Sequence, residues 1–331
     1  GNVAVHVDAG PLADGPHTWS ITATDTHSNA GSSEVRTFHV DTADPTLTVT
    51  SPGGGAWTAG DDVPVSATVG SAGAAYAFID WDASLLAWWT GDDLARDESG
   101  RGNDARPMGD AQLTEDGAFG NAFLLDGDGD YLTLSAAGEN RSIDHNPDLD
   151  FRADDSFTLS AWVYKHDRDE ETILQKDTWR LRYHGAERWQ VSIGSLHAWY
   201  NDPSPTNRWV HVAATYDAAA QRVALYVDGL ARGSASGDVG ELVTRTPVSI
   251  GKAPWDARWW QGRLDEILIF GRALEPDEVA SLYDAVANPV SRTFTNLPEL
   301  EQHTYEVVAV NHEGNHLSSG GTVVHVDQPD T

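Results

Sequence analysis

Apolar and polar residues alternate in steps of two along most of this chain, the pattern of strands with one face buried and one face wet. Near the amino end, Val3-Val7, Thr18-Thr24 and Val35-Val40 alternate in this way. Between them, Gly10-Pro11 and Ser28-Asn29-Ala30-Gly31 supply residues that tolerate tight or left-handed backbone. These elements predict the last three strands of a sandwich. Thr46-Val49, Val63-Val69 and Tyr76-Trp81 predict the first three strands of a second one, with Ser51-Pro52-Gly53-Gly54-Gly55 as a turn. Its last three strands come only at Val290-Phe294, Thr304-Val310 and Thr322-Val326. The segment between is spliced into one loop, which a host fold tolerates when the two ends of the guest lie close together. Within it many short alternating stretches with Gly/Asp turns predict a two-sheet sandwich. A single helix is expected at Glu275-Tyr283, with Pro276 as a first-turn residue. The predicted organisation is thus all-β: 1–44 half a sandwich, 45–84 and 288–331 the two halves of another, and 85–287 the insert.

A repeat supports the division. His17 to Asp41 returns without gaps, 286 residues later, as His303 to Asp327, with nine identical positions. Trp19/Tyr305, Asn29/Asn315 and the closing His-Val-Asp triplets fall in register. Such a period points to a tandem array, and the chain is expected to be an internal piece of one, with copies meeting head to tail and the half sandwich completed in cis or in trans.

Composition narrows the function classes. Acidic residues number 51 against 21 basic, of which three are lysine, for a net charge of -30. That charge repels phosphate backbones and anionic lipid, so neither nucleic acid nor a membrane surface is an expected partner. With no cysteine, disulfides and thiolate metal sites are excluded. No apolar run approaches a membrane span. A secreted or cell-surface protein is expected.

The flanks carry Asp44-Pro45-Thr46, the Leu12 to Thr18 lead and the Ala23 to Asn29 run. On these motifs they resemble bacterial Ig-like repeats of secreted surface proteins, which serve as spacers. The insert carries Leu86-Ala87-Trp88-Trp89, the loop Asp97 to Asn103, Phe123 to Tyr131, Ser156 to Val163, Arg208 to Tyr216, Val223 to Gly229 and Gly262 to Phe270. In that order they resemble a laminin-G-like, concanavalin-type jelly roll. The resemblance implies a jelly roll inserted into an Ig-like sandwich, with a short helix after the last strand.

Candidate chemistry lies in the insert. Asp126-Gly-Asp-Gly-Asp130 places three carboxylates at alternate positions, but an EF-hand loop from Asp126 needs Gly at 131 and Glu at 137, where the chain has Tyr131 and Ala137. A turn into a core strand is the better reading. Oxygen ligands from the Asp97 to Asn103 loop, joined by Asp265 on the closing strand, are the expected structural calcium site. Ten of the 13 tryptophans fall in the insert. Trp162 and Trp209 sit in alternating patterns and are expected in the core. Trp255, Trp259 and Trp260, among Asp256, Arg258 and Gln261, have no strand pattern, and indole faces beside polar groups suit the C-H face and hydroxyls of a sugar. Trp199 and Tyr200, within His197 to Asp202, and Trp179 to Tyr183 are expected to add aromatics on neighbouring loops. The related pentraxins hold ligand through calcium at a comparable loop, and of their acidic set only Asp256 has a counterpart here.

Catalysis is not expected. Glycosidases on this fold set two carboxylates on one strand face, and the nearest approach, Asp167 to Glu171, falls in a turn. The functional expectation is a non-catalytic, calcium-stabilised module binding glycan or cell-surface polysaccharide, as in an adhesin. The alternative is a structural subunit of an extracellular fibre or surface layer.

Overall fold

The computed structural model describes the chain apart from residues 1–9, 11, 14, 25, 34–35, 41–45, 60, 71–73, 94–95, 135–146, 168, 186–187, 203–205, 243–245, 254–257, 286, 296, 298–301 and 328–331, and apart from the side chains of 15–16, 36–40, 57–59, 74 and 327. The predicted strand Val3-Val7 lies outside the described residues.

The insert is a jelly roll of two facing sheets. One has seven strands in the order Arg106–Met108, Tyr131–Thr133, Ser249–Ile250, Glu171–Lys176, Trp179–His184, Arg188–Ile193, Leu196–Asn201. The other runs Gln112–Thr114, Ala122–Asp126, Gln261–Phe270, Phe157–Lys165, Trp209–Asp217, Arg222–Val227, Leu230–Ser236, with Leu85–Trp89 also paired to Gln261–Phe270. Between them lies a core with Trp89, Trp179, Trp189 and Trp260 at 0 % exposure. Burial of such side chains at about 25 cal/mol per Å² drives the two inner faces together.

A smaller pair of sheets holds strands from both sides of the insert. Val63–Val69 pairs with Leu47–Ser51 and Ser291–Phe294, and Gln302–Asn311 pairs with Ala74–Trp81, His316–Ser318 and Thr322–Asp327. A strand that the sequence pattern did not predict, Ala56–Ala59, runs parallel to Thr322–Asp327. A second apolar cluster joins the two units: Tyr76 and Phe78 from the small unit meet Trp88, Leu268 and Phe270 of the jelly roll and Val279 and Leu282 of the helix Pro276–Tyr283. The helix begins where Pro276 predicts, behind a capping box between Glu275 and Glu278.

The repeat is a repeat of pairing as well as of sequence. His17 pairs with Phe38 as His303 pairs with Val324, and Thr22 with Ser32 as Val308 with Ser318. The two copies differ in cover. Tyr305 and Val307 are 1 % and 0 % exposed, whereas their counterparts Trp19 and Ile21 are 43 % and 49 % exposed. In the second copy Tyr305 and Val307 lie opposite Trp81 and Ile79 on Ala74–Trp81; among the described residues the first copy has no such partner strand. The side chain of Phe38 lies outside the described ones. Tyr305→Ala is expected to cost about 3–5 kcal/mol, and Trp19→Ala less than about 0.5 kcal/mol, in urea unfolding. Equal losses would show Trp19 to be covered.

Candidate functional site

The strand Trp179–His184 turns Trp179, Leu181 and Tyr183 into the core, so Arg180, Arg182 and His184 point to the outer face of the seven-stranded sheet. The same parity on its neighbours puts polar residues in rows across the strands. One row runs Thr133, Ser249, Gln175, Arg180, Ser192, His197. The next runs Thr172, Arg182, Gln190, Trp199, and a third His184, Arg188, Asn201.

These short polar groups face away from the core, yet Thr172, Gln175, Gln190 and Ser192 are only 0–5 % exposed. Cross-strand neighbours stand about 5 Å apart, so arginines rise over the serine, threonine and glutamines beside them. Thr172 Oγ1, Gln175 Oε1 and Ser192 Oγ have no hydrogen-bond partner, nor does Arg188 Nε. An unmet buried polar atom costs about 1–3 kcal/mol.

Arg182 is held by Gln190, to whose Oε1 its Nε donates at 2.6 Å, and by Glu170 at 2.5 Å. Glu170 also takes Arg258 at 3.1 Å and lies 3.8 Å from His184. Burial, then the charges of Arg180 and Arg182, hold His197 below the usual histidine range.

Aromatic groups stand at both ends. Tyr131 and Trp259 lie 5.6 Å apart, with the Lys252 ammonium 4.3 Å and 4.4 Å from their ring centres. At the far edge Trp199 is 44 % exposed, with the Arg188 guanidinium 5.4 Å from its ring. Its main chain is pinned, because a Cβ at Gly233 would fall 2.6 Å from the Trp199 carbonyl oxygen. Tyr200 is half-buried beneath Arg232. Five strand spacings separate the two ends, about 24 Å.

Several expected residues sit elsewhere. Trp260 is core, not platform: it is 0 % exposed and its Nε1 donates to the Arg263 carbonyl. Trp179 to Tyr183 and His197 to Asn201 are strands rather than loops. Trp162 and Trp209, expected in the core, are half-buried, Trp162 stacking on Tyr283 and Trp209 edge-on to Tyr164. Trp255 and Asp256 lie outside the described residues. Gln261 is half-buried at the start of a strand, and Arg258 is engaged by Glu170. The arginines of the outer face were missed, although the alternation in WRLRYH and RWQVSI marks it.

Asp97, Asn103 and Asp265 do not fit a shared calcium ion. The Asp97 carboxylate accepts the main-chain N–H of Trp88, Ser99 and Asn103 and the Ser99 hydroxyl, all at 2.8–3.0 Å. The Asn103 amide donates to the Leu86 carbonyl. Asp265 takes the N–H of Ala118, Phe119 and Glu266, and burial raises its pKa well above the usual range. These side chains close two different loops by hydrogen bonds. Asp126 and Asp130 form a turn, Asp130 accepting from Asp110 and Asp126. With Asp110 their oxygens lie within 4.8 Å of one another, the one such acidic group among the described residues. Larger clefts, of about 710 and 720 Å³, are lined by Asp150, Asp154, Asp155 and Glu241, and by Asp92, Glu115 and Asp116. Among the described residues, neither is lined by Trp, Tyr or Phe.

Residues 126–280 match the profile of the Concanavalin A-like lectin/glucanases superfamily, and this domain is a laminin-G-like, concanavalin-type jelly roll. Among solved structures, the chain is similar to domain 4 of AbnA, a GH43 extracellular arabinanase from Geobacillus stearothermophilus, in complex with arabinotriose: 21 % identity, TM-score 0.45, over 61 % of this chain and 98 % of that one. It is also similar to the binding domain of Paraclostridial Mosquitocidal Protein 1 (18 %, 0.47, 60 % of this chain) and to that of botulinum neurotoxin serotype D (17 %, 0.48, 61 %), in each case over 52 % of the other chain. No curated protein matches in sequence. No helix among the described residues is long and apolar enough to cross a membrane.

Proposed function

We propose that this chain is a non-catalytic, extracellular glycan-binding module whose sugar site is the outer face of the seven-stranded sheet. The observation that carries the reading is the pair of aromatic ends of that face, the exposed Trp199 ring at one and Tyr131 with Trp259 at the other, with rows of polar side chains between them. Sugar hydroxyls both donate and accept and suit the polar rows, while Trp199 at one end and Trp259 with Tyr131 at the other offer ring faces to C-H surfaces. The superfamily match is consistent with this use of the fold.

A hydrolase needs two carboxylates flanking the bond. Beside the arginine rows, Glu170 is bound by Arg182 and Arg258. Glu171 pairs with the buried Lys165 at 2.5 Å. The second reading, a subunit of an extracellular fibre, rests on Trp19 and Ile21, left exposed where their repeat counterparts are covered.

A glycan array on the whole chain, with and without calcium, tests the proposal. Trp199→Ala is expected to weaken binding by about tenfold with little change in melting. An array blank in both conditions would sink the lectin reading and leave the fibre.

A further inference from the structure

We infer that the strands Gly15–Trp19 and Thr22–Thr24 offer an open sheet edge to the first half of an Ig-like sandwich on a partner polypeptide, one with an apolar inner face and a polar outer face. The inference stands apart from the sugar site and gives the fibre reading its joint, so a blank glycan array leaves it untouched. Its ground is that the chain holds the same strand pair twice, covered once. The frames agree to the main-chain bond. Ile21 N–H donates to Ser33 Oγ at 2.9 Å and Ser33 N–H to the Ile21 carbonyl at 2.8 Å, as Val307 N–H does to Ser319 Oγ at 2.9 Å and Ser319 N–H to the Val307 carbonyl at 2.8 Å. In the second copy the other edge is taken by Ala74–Trp81, with Val307 opposite Ile79 and Ala309 opposite Ala77. Val307 is 0 % exposed there, in a cluster with Val63, Val65 and Ile79. In the first copy Ile21 is 49 % exposed, and among the described residues Gly15–Trp19 and Thr22–Thr24 pair with Arg36–Val40 and Ala30–Ser32 alone. By the same offset Val3-Val7 falls against 289–293 in sequence, and Ser291–Phe294 pairs in the other sheet. A two-stranded ribbon is marginal in water, and its open edge is a template for a further strand.

Parity along the strand describes the occupant. Ile21 and Ala23 stand where Val307 and Ala309 face the core of the small unit. Thr22 and Thr24 stand where Val308 and Val310 meet the cluster that holds Trp88 and Phe270 of the jelly roll. The first copy thus has no apolar outer face on which to seat a jelly roll, and its complement is a half sandwich apolar on one side only. A second copy of this chain does not fit that description. Its own Leu47–Ser51, Val63–Val69 and Ala74–Trp81 are already paired, and Tyr76 and Phe78 give the last of these strands a second apolar face. Main-chain hydrogen bonds along the edge supply affinity, and the inward apolar positions fix the register.

The test is titration of the whole chain with a synthetic peptide of residues 45–84 carrying Tyr76→Thr and Phe78→Thr, which keeps Ala77, Ile79 and Trp81 for the inner face. Amide hydrogen exchange is followed over 18–24 and 304–310. In the chain alone, exchange over 18–24 is expected to be at least about a hundredfold faster than over 304–310. Saturating peptide should slow 18–24 by about tenfold or more and leave 304–310 unchanged. Ile21→Asp in the chain should abolish that protection, and so should Ile79→Asp in the peptide, which leaves the chain itself untouched. Equal protection of the two segments in the chain alone would show the edge to be covered already and overturn the inference. Protection of 18–24 that grows with the concentration of the chain alone would name a second copy as the occupant and overturn it as well. Peptide that leaves 18–24 exchanging freely at about 1 mM, or protects it equally with Ile79→Asp, would overturn the partner named here.

Discussion

Trp260→Ala is expected to destabilise the jelly roll by about 3–5 kcal/mol, with a fall in melting temperature of roughly 10 °C for a domain of this size. The indole is fully buried in the main core. Its main-chain N–H donates to Gly251, and its Nε1 to the Arg263 carbonyl. Its ring also lies 5.4 Å from the ammonium of Lys165, itself 0 % exposed and paired with Glu171. Truncation therefore leaves a cavity beside a buried ion pair, where neither collapse nor water entry is cheap. Trp199→Ala, on an exposed edge, should cost less than about 1 kcal/mol. The reverse outcome, a native melt for Trp260→Ala with loss of glycan binding, would restore the loop platform that the sequence pattern favours. Urea unfolding of both variants beside the array decides it.

Stability is expected to fall as pH rises from about 5 to 8 because of Glu266. This side chain is fully buried at the junction of the two units, where its Oε2 accepts the Tyr76 hydroxyl and the Trp88 indole N–H, both at 2.5 Å. Burial outweighs those bonds and raises its pKa from 4.5 to about 8. Asp265 beside it, also buried, is raised as well, and the Asp92 carboxylate opposes ionisation of both. The folded state thus keeps a proton that the unfolded chain releases above pH 4.5. The stability this proton supplies is complete below the unfolded value and is lost as pH rises through the folded one. The slope approaches about 1.4 kcal/mol per pH unit in that window, roughly 4–5 kcal/mol in all. Glu266→Gln keeps an acceptor for Tyr76 and Trp88 without its titration, so its slope between pH 5 and 8 should be shallower than the parent's, the remainder coming from Asp265 and from Glu171, which burial also raises to about 8. A variant with the same slope as the parent would place the linkage elsewhere.

Much of the architecture was legible from local pattern. Val63–Val69 begins and ends where the alternation does, and Pro276 marks the helix start. The repeat foretells a shared register, because two copies with the same apolar parity must pair their strands the same way. The jelly-roll motifs, in their order, pointed to the fold that the sheets display. Ala56–Ala59 escaped because a short parallel edge strand is specified by the strand it meets, Thr322–Asp327, far off in sequence.

The site was legible only in part. Trp199 and Trp259 could be singled out as candidate sugar platforms, and they border the polar face on which the proposed site lies. Trp259 and Trp260 are neighbours with the same local surroundings, yet one flanks Lys252 at the surface and the other fills the core, a choice made by the facing sheet. Trp162 shows the same limit, since its strand parity does not reveal that Tyr283 of the helix and Phe119 cover its outer side. Asp97 and Asp265 have the composition of cation ligands, and the loops folded around them turned their oxygens into acceptors for main-chain amides. The sequence by itself determined strand parity, the helix, the repeat and the net charge, because each depends on residues near in the chain or on composition alone. Tertiary structure decided which alternating polar residues share one face. Arg180, Arg182, Arg188, Thr172 and Ser192 come from three strands, and only the pairing between those strands makes them a single surface.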